Sequence, residues 1–362
     1  MANCKTMKNC SIALDVKEPT PCPSLKGRGD RLSWLLHLLL IVALQVTITS
    51  PSLAANPPSL QGGVGGRLDN DTLTILFTGD ILLDRGVRHV IERHGFHTLF
   101  ADDSLRSLFR GANYVVGNLE CPATTVNQPA FKRFVFRSDP QWIDSLRAYG
   151  FTHLNLANNH SVDQGRDGLR DTRKNILRAG LIPIGADSTM QAAAKPQQLL
   201  VPLPTGEGRG GAYLLASNRL PLESFAYLPD RESVSQEPLD SLINRVKTIK
   251  NADSTAVIVV MLHWGAEHTL IPLPQQRLEA HALIDAGVDL LVGHHTHTLQ
   301  SIETYKGKSI YYSIGNFIFD QQKPLNTEAC IVRLRITSDK IAVDTIPIRI
   351  DRCAPQIIPR TN

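Results

Sequence analysis

The stretch Leu290-Leu291-Val292-Gly293-His294-His295-Thr296-His297-Thr298-Leu299 ends an apolar run, 288–292, at a glycine and then sets three histidines in four positions. An apolar run that stops at glycine and turns polar is how a buried parallel strand delivers side chains to the rim of its sheet. Open α/β sheets bind ligands at that carboxyl edge. On an extended segment His295 and His297 point the same way and can converge on one metal centre. One histidine at a strand end is usually an ordinary polar cap. Three together are a metal signature, since neutral imidazole suits zinc, iron and nickel.

Working outward, the same grammar recurs. The run 73–77 alternates and ends at Thr78-Gly79-Asp80, and 114–116 ends at Gly117-Asn118-Leu119-Glu120. Residues 153–156 run into Ala157-Asn158-Asn159-His160, and the β-branched run 257–262 ends at His263-Trp264-Gly265. Helical stretches are expected at 84–94, 141–149, 167–179 and 274–286, the third stopped by Gly180. Beyond the histidines, 309–314, 329–336 and 341–350 alternate like antiparallel strands. The sum is an α/β fold in which successive strand ends carry a potential ligand.

Those candidates are Asp80, Glu120, Asn159, His263, His295 and His297, with His160 beside them. Taken singly, each has a bland reading. Asp80 after glycine can cap a helix, Glu120 can be a solvated acid, and Asn158 and Asn159 are common turn residues. Glu267 is a possible partner for His263, and Arg85 either holds an anion at a helix start or is a solvated cation. As a set they form a mixed oxygen/nitrogen donor group that suits divalent manganese, iron or zinc. Two such ions sharing a carboxylate can activate a water and clamp a phosphoryl or acyl oxygen. His160 would protonate a leaving group or bind an oxyanion.

The 362 residues hold 38 basic and 34 acidic side chains, of which six and three lie in residues 1–54, so the body is nearly neutral. No basic footprint points to nucleic acid. Residues 34–48 are apolar and uncharged, preceded by Arg28 and Arg31 and followed by Ser52-Leu53-Ala54. That pattern predicts a disordered cytoplasmic N-terminus at 1–31, a signal peptide or membrane anchor at 32–54 and a Gly/Pro linker at 55–70. The body then spans 71–350, with a tail at 351–362. The expected location is exported: the cell envelope, membrane-anchored or periplasmic/extracellular. Only Cys121, Cys330 and Cys353 follow the apolar segment, so one disulfide at most is open to the body.

Six motifs in this order carry a resemblance: Phe77-Thr78-Gly79-Asp80, Gly117-Asn118-Leu119-Glu120, Asn158-Asn159-His160, Leu262-His263-Trp264-Gly265-Ala266-Glu267, Gly293-His294-His295-Thr296-His297 and Ser313-Ile314-Gly315-Asn316-Phe317. Together they resemble the CapA family of poly-γ-glutamate capsule synthesis proteins (PgsA-like). That family is similar to the calcineurin-like metallophosphoesterases. The resemblance implies an α/β sandwich of two packed β-sheets flanked by helices, and metal ligation by Asp80, Glu120, Asn159, His263, His295 and His297. His160 would be the catalytic acid and the cofactors divalent ions (Mn, Fe or Zn), two in the full pattern. The chain departs from the superfamily at Leu82, which stands where the first block has histidine, with Asp84 as a replacement candidate. Asn118 departs in the second block.

The function implied is synthesis, export or anchoring of an anionic cell-surface polymer, through metal-dependent hydrolysis or transfer of a phosphoester or amide bond. The partners would be that polymer or its membrane synthase complex, with the membrane itself reached through residues 32–54 if they are uncleaved. The rival is a non-catalytic polymer- or partner-binding subunit with a degenerate metal site, which Leu82 and Asn118 favour.

Overall fold

β1 (Leu73–Ile81) leads through α1 (Arg85–His94), a 3-10 turn (Phe96–Phe100) and α2 (Asp103–Arg110) to β2 (Tyr114–Leu119). Next come α3 (Trp142–Ala148), β3 (His153–Asn155), α4 (Gly165–Arg178) and β4 (Ile182–Ile184). Then follow β5 (Ala186–Asp187), α5 (Met190–Ala193), β6 (Gln197–Leu199), β7 (Ala212–Asn218), β8 (Ser233–Val234) and α6 (Leu239–Ala252). β9 (Val257–His263), α7 (Pro274–Ala286) and β10 (Leu290–His294) carry the histidine strands. The chain closes with β11 (Ile302–Tyr305), β12 (Lys308–Tyr311), β13 (Asn316–Ile318), α8 (Pro324–Thr327), β14 (Glu328–Ile336), β15 (Ile341–Asp351) and β16 (Ala354–Ile357). This computed structural model describes residues 72–200, 211–222 and 230–359. The readings placed on 1–31, 32–54 and 55–70 lie outside the described residues. Among the described residues no helix is long and apolar enough to cross a membrane.

Two large sheets make the body, and β5 and β8 form a small two-stranded sheet of their own. One runs β16-β15-β14-β1-β2-β3-β4, with β13 alongside β1, and the other runs β11-β12-β10-β9-β7-β6. Period-2 alternation explains how they pack. Leu73, Ile75 and Phe77 of β1 share a buried cluster with Val257, Val259 and Met261 of β9 and with Leu290 and Val292 of β10. That cluster fills the space between the sheets. The opposite faces bury under helices. Leu76 and Val115 pack with Val87 and Ile91 of α1 and Leu105 and Phe109 of α2, while Ile258, Val260 and Leu291 pack with Val246 of α6 and Leu283 of α7. β9 and β10 are therefore buried on both faces, which is why they read as unbroken apolar runs. The architecture is the expected α/β sandwich of two packed sheets flanked by helices.

The three late alternating runs each have an antiparallel partner, as expected, but they lie in different sheets. β12 pairs antiparallel with β11 and parallel with β10 in the second sheet, whereas β14 and β15 form an antiparallel pair beside β1 in the first. Alternation gives a strand but not its sheet. Residues 354–357, expected in the tail, form β16 and pair with β15.

The three cysteines of the body are free and buried, so no disulfide forms among them. Burial pushes Cys121 and Cys330 up to about 12 and Cys353 to about 11. A thiolate is the reactive species. The native body is thus expected to consume no thiol reagent at pH 8 within minutes, and all three equivalents once unfolded in guanidinium.

Candidate metal centre

Two glycines let the strand ends converge. A Cβ on Gly79 would sit 2.0 Å from the Gly315 carbonyl oxygen, and one on Gly293 would sit 1.9 Å from that of Tyr312. Without side chains there, β13 closes on β1 in a register that pairs Asp80 with Asn316. The neighbouring register pairs Asp80 with Asn118, and His294 pairs with His263 across β10 and β9. The carboxyl ends of β1, β2, β9 and β10 thus meet at one rim.

The histidine turn differs from its expected geometry. β10 ends at His294, and His295 and His297 have φ of 92° and 56°, in the left-handed region. Their rings are brought together by this curl, with centroids 6.2 Å apart, and not by strand alternation. Left-handed backbone at non-glycine residues costs free energy and concentrates at functional sites.

Five of the predicted ligand residues come together around the sixth, Glu120. One donor atom each from Glu120, His263 and His295 lie within 4.8 Å of one another, and so do atoms from Asp80, Glu120 and His297. Glu120 belongs to both groups. Its Oε1 lies 3.5 Å from His263 Nε2 and 3.9 Å from His297 Nε2. Asn159 Oδ1 lies 2.8 Å from His263 Nε2, and Asp80 Oδ2 lies 3.2 Å from His297 Nδ1. The His295 N–H donates to Asp80 Oδ2 at 3.2 Å.

The protonation states suit a cation. Burial, reinforced by the charge of His295, holds His263 well below the ordinary imidazole range. Burial takes His295 down to about 3, so both rings stay neutral and able to ligate. Burial raises Asp80, but the hydrogen bond from His297 and the charges of His294 and His297 outweigh it, and its carboxyl is held below the usual value. Glu120 goes the other way, pushed well above the carboxyl range first by burial and then by the charges of Asp80 and Glu267.

Fit to a metal can be judged from orphaned atoms. Glu120 is fully buried, and neither of its oxygens has a hydrogen-bond partner among the described residues; His295 Nδ1 has none either. A buried carboxylate without a partner is costly. A cation between these groups would satisfy it, and the oxygen/nitrogen donor set suits manganese, iron or zinc.

His160 sits beside this cluster. Its Nδ1 is 2.8 Å from Asp163 Oδ2, and its ring packs on Phe136 with centroids 4.3 Å apart. Asp163 also accepts from the Phe136 N–H at 2.7 Å and pairs with Lys132 Nζ at 2.6 Å. Lys132 donates in addition to the Asn159 carbonyl at 2.9 Å. Lys132 thus ties the carboxylate that holds His160 to the backbone of Asn159, and it lies in a loop with no periodicity to mark it.

The family model of the bacterial capsule synthesis protein PGA_cap matches residues 74–321, a span that holds every strand end just described. This chain belongs to the PGA_cap family. Two curated relatives agree with that. The capsule biosynthesis protein CapA of Bacillus anthracis is 32% identical over 298 residues, covering 80% of this chain and 70% of its own. The PGA biosynthesis protein CapA of Bacillus subtilis is 31% identical over 306 residues, covering 81% and 76%. Among solved structures, the sulfate thiohydrolase SoxB of Thermus thermophilus aligns over 78% of this chain and 57% of its own, at 12% identity and a TM-score of 0.42. A likeness at that level carries no weight for the site.

Other residues of this PGA_cap chain fall outside the predicted set. Asn118, noted only as a departure, is a hub. Its Nδ2 donates to Asp80 Oδ1 at 2.8 Å, and its Oδ1 accepts from Asn155 at 3.0 Å and Asn158 at 3.3 Å. Asn316 places its Oδ1 3.0 Å from His297 Nδ1, a contact that fixes the ring and leaves Nε2 toward Glu120. The Ser313–Phe317 motif was the only sequence signal for it. Asp84 does not replace the missing histidine. It caps α1, bonds Arg88 at 3.0 Å and accepts from the Arg137 N–H at 2.8 Å. Leu82 is buried in the helix-side core. Glu267 is exposed and approaches His268 at 3.8 Å; no bond to His263 forms.

Proposed function

We propose that this PGA_cap protein is a metal-dependent hydrolase or transferase in the synthesis, export or anchoring of an anionic cell-surface polymer of the poly-γ-glutamate type. It cleaves or transfers a phosphoester or amide bond and works at the cell envelope beside a membrane synthase complex. The names of the two Bacillus relatives support the polymer class. The chemistry rests on one observation: a fully buried Glu120 that has no hydrogen-bond partner among the described residues and is shared by two clusters of imidazole and carboxylate.

On this reading Glu120, His263, His295 and Asn159 hold one divalent ion, and Asp80, Glu120 and His297 hold a second. Divalent ions there would supply Lewis acidity and lower the pKa of water. Asp80 and Asn118 fix the register of the donors. His160, oriented by Asp163, carries the proton to the leaving group.

A second reading keeps the cation but not the chemistry, namely a polymer- or partner-binding subunit. Leu82 favours it, because an apolar side chain fills the position of a superfamily ligand.

Metal content of the full chain tests the first step. About two equivalents of manganese, iron or zinc are expected in the wild type, and fewer than half an equivalent in a His295→Ala, His297→Ala double variant that keeps its fold. A folded wild type that takes up no divalent ion from a metal-buffered medium sinks the proposal.

A further inference from the structure

We propose that Arg85 is the residue that anchors an oxyanion of the substrate, phosphoryl or carboxylate, and that Asp320 is the internal counter-ion which that oxyanion displaces. This deepens the reading of the site as a cation centre for an anionic polymer and rests on it.

Arg85 lies inside a stack of rings. Its guanidinium carbon is 5.0 Å from the Phe136 ring centroid and 5.5 Å from that of Phe319. Phe136 packs at 4.3 Å on His160, the proposed proton carrier, and Phe319 packs at 4.5 Å on His297, a proposed ligand. The guanidinium therefore lies within cation–π range of one ring on each side of the centre. Hydrogen bonds leave a guanidinium through its edge. Along that edge Nη2 is paired with Asp320, while Nε is buried and has no partner among the described residues. The side chain keeps 35% of its surface exposed, so the guanidinium group is partly open to solvent although Nε itself is covered.

Asp320 is built in with equal care. Its other oxygen accepts from the Gly86 N–H at 3.0 Å. A Cβ at position 86 would lie 2.7 Å from Asp320 Cβ, so glycine is needed for this approach. Arg85 itself holds a left-handed φ of 50°, a cost that non-glycine residues carry mainly at functional sites. A pair that only tied α1 to the segment after β13 would need neither the two rings beside the centre nor a buried nitrogen without a hydrogen-bond partner. Half-exposed ion pairs contribute little to stability. Lys132, the other cation near His160, is already bonded to Asp163 and Asn159.

Calorimetric titration of the full chain with inorganic phosphate, and separately with glutarate, tests this. Each titration is run on manganese-loaded and on metal-free protein, with metal content assayed on the same samples. Arg85→Gln should weaken anion binding about tenfold or more with metal content unchanged, and Arg85→Lys should recover only part of it because the planar fork is lost. Asp320→Asn should tighten binding several-fold, the reverse of what a merely structural pair gives. Tighter phosphate than glutarate assigns a phosphoryl group, and the opposite order a carboxylate. Wild-type affinity in Arg85→Gln, no tightening in Asp320→Asn, or a wild type that binds neither anion would overturn the proposal. Should Arg85→Gln fail to fold, Asp320→Asn decides alone. A wild type without metal defeats the metal-centre reading, yet the metal-free titrations still judge Arg85.

Discussion

Glu120→Gln is expected to reverse its effect on stability when metal is added. In metal-free protein the Glu120 carboxyl is buried, unpartnered and raised well above the carboxyl range by burial and by Asp80. A group whose folded pKa is raised contributes its stability fully below the unfolded value, and that contribution is lost as pH rises toward the folded pKa. The wild type should therefore lose stability relative to Glu120→Gln as pH rises from about 4.5 through neutrality. By pH 8 the metal-free variant should be more stable, by on the order of 1–3 kcal/mol. With manganese present the order inverts. A bound ion stabilises the wild type by about 2.7 kcal/mol at a hundredfold excess over Kd, while the amide offers no charge to either cluster. Turnover, once a substrate is in hand, should fall by roughly 10³-fold, the scale of removing a principal electrostatic contributor. Thermal melts of both proteins at pH 5 and pH 8, with chelator or with manganese, give all four stabilities. If Glu120→Gln is the less stable protein under chelator at pH 8, the orphaned carboxylate is not the strain inferred for it.

The strand-end cluster was legible because the fold itself marks where each strand reaches the rim. A strand buried on both faces must be apolar to its end, and polar groups begin where it reaches the rim. Asp80, Glu120, His263 and the histidines after Gly293 are each marked by that change. What joins them was not legible. The left-handed φ of His295 and His297 leaves no trace in residue type. The hub at Asn118 looked like a departure from a pattern, since asparagine at a strand end reads as a turn. Lys132 sits in a loop whose bonds to Asp163 and Asn159 span 31 and 27 positions of sequence. The helices α2 and α6 and the strand β7 were missed, although α2 carries a readable signal: an Asp102 cap followed by Leu105 and Phe109 four positions apart on its buried face. The sandwich itself was predictable, but the division of the late strands between two sheets was not, since period-2 alternation is the same in either.

His160→Gln separates the enzyme from the binding subunit. The imidazole is held by Asp163 at 2.8 Å and by the Phe136 ring, and Asp163 is held in turn by Lys132 and a backbone N–H. Burial lowers the pKa of His160 while the hydrogen bond and charge of Asp163 pull it back up. The ring is thus neutral at rest near pH 7, and an anionic substrate arriving beside it adds to the upward pull of Asp163. That is the behaviour a general acid needs: proton uptake coupled to binding of the group it will protonate. Because His160 lies outside both ligand clusters, the variant should keep its full metal content. Its turnover should fall by roughly 10²–10⁴-fold, the usual contribution of a positioned proton donor. Asp163→Asn should cost less in turnover, since the ring remains but loses the carboxylate that turns and charges it. A binding subunit predicts a different result, with metal, anion affinity and polymer output all unchanged in His160→Gln. Wild-type polymer output from cells carrying that variant would place the cation of this protein in a structural or binding role. It would also make Leu82 the residue that had already recorded the loss of the hydrolase pattern.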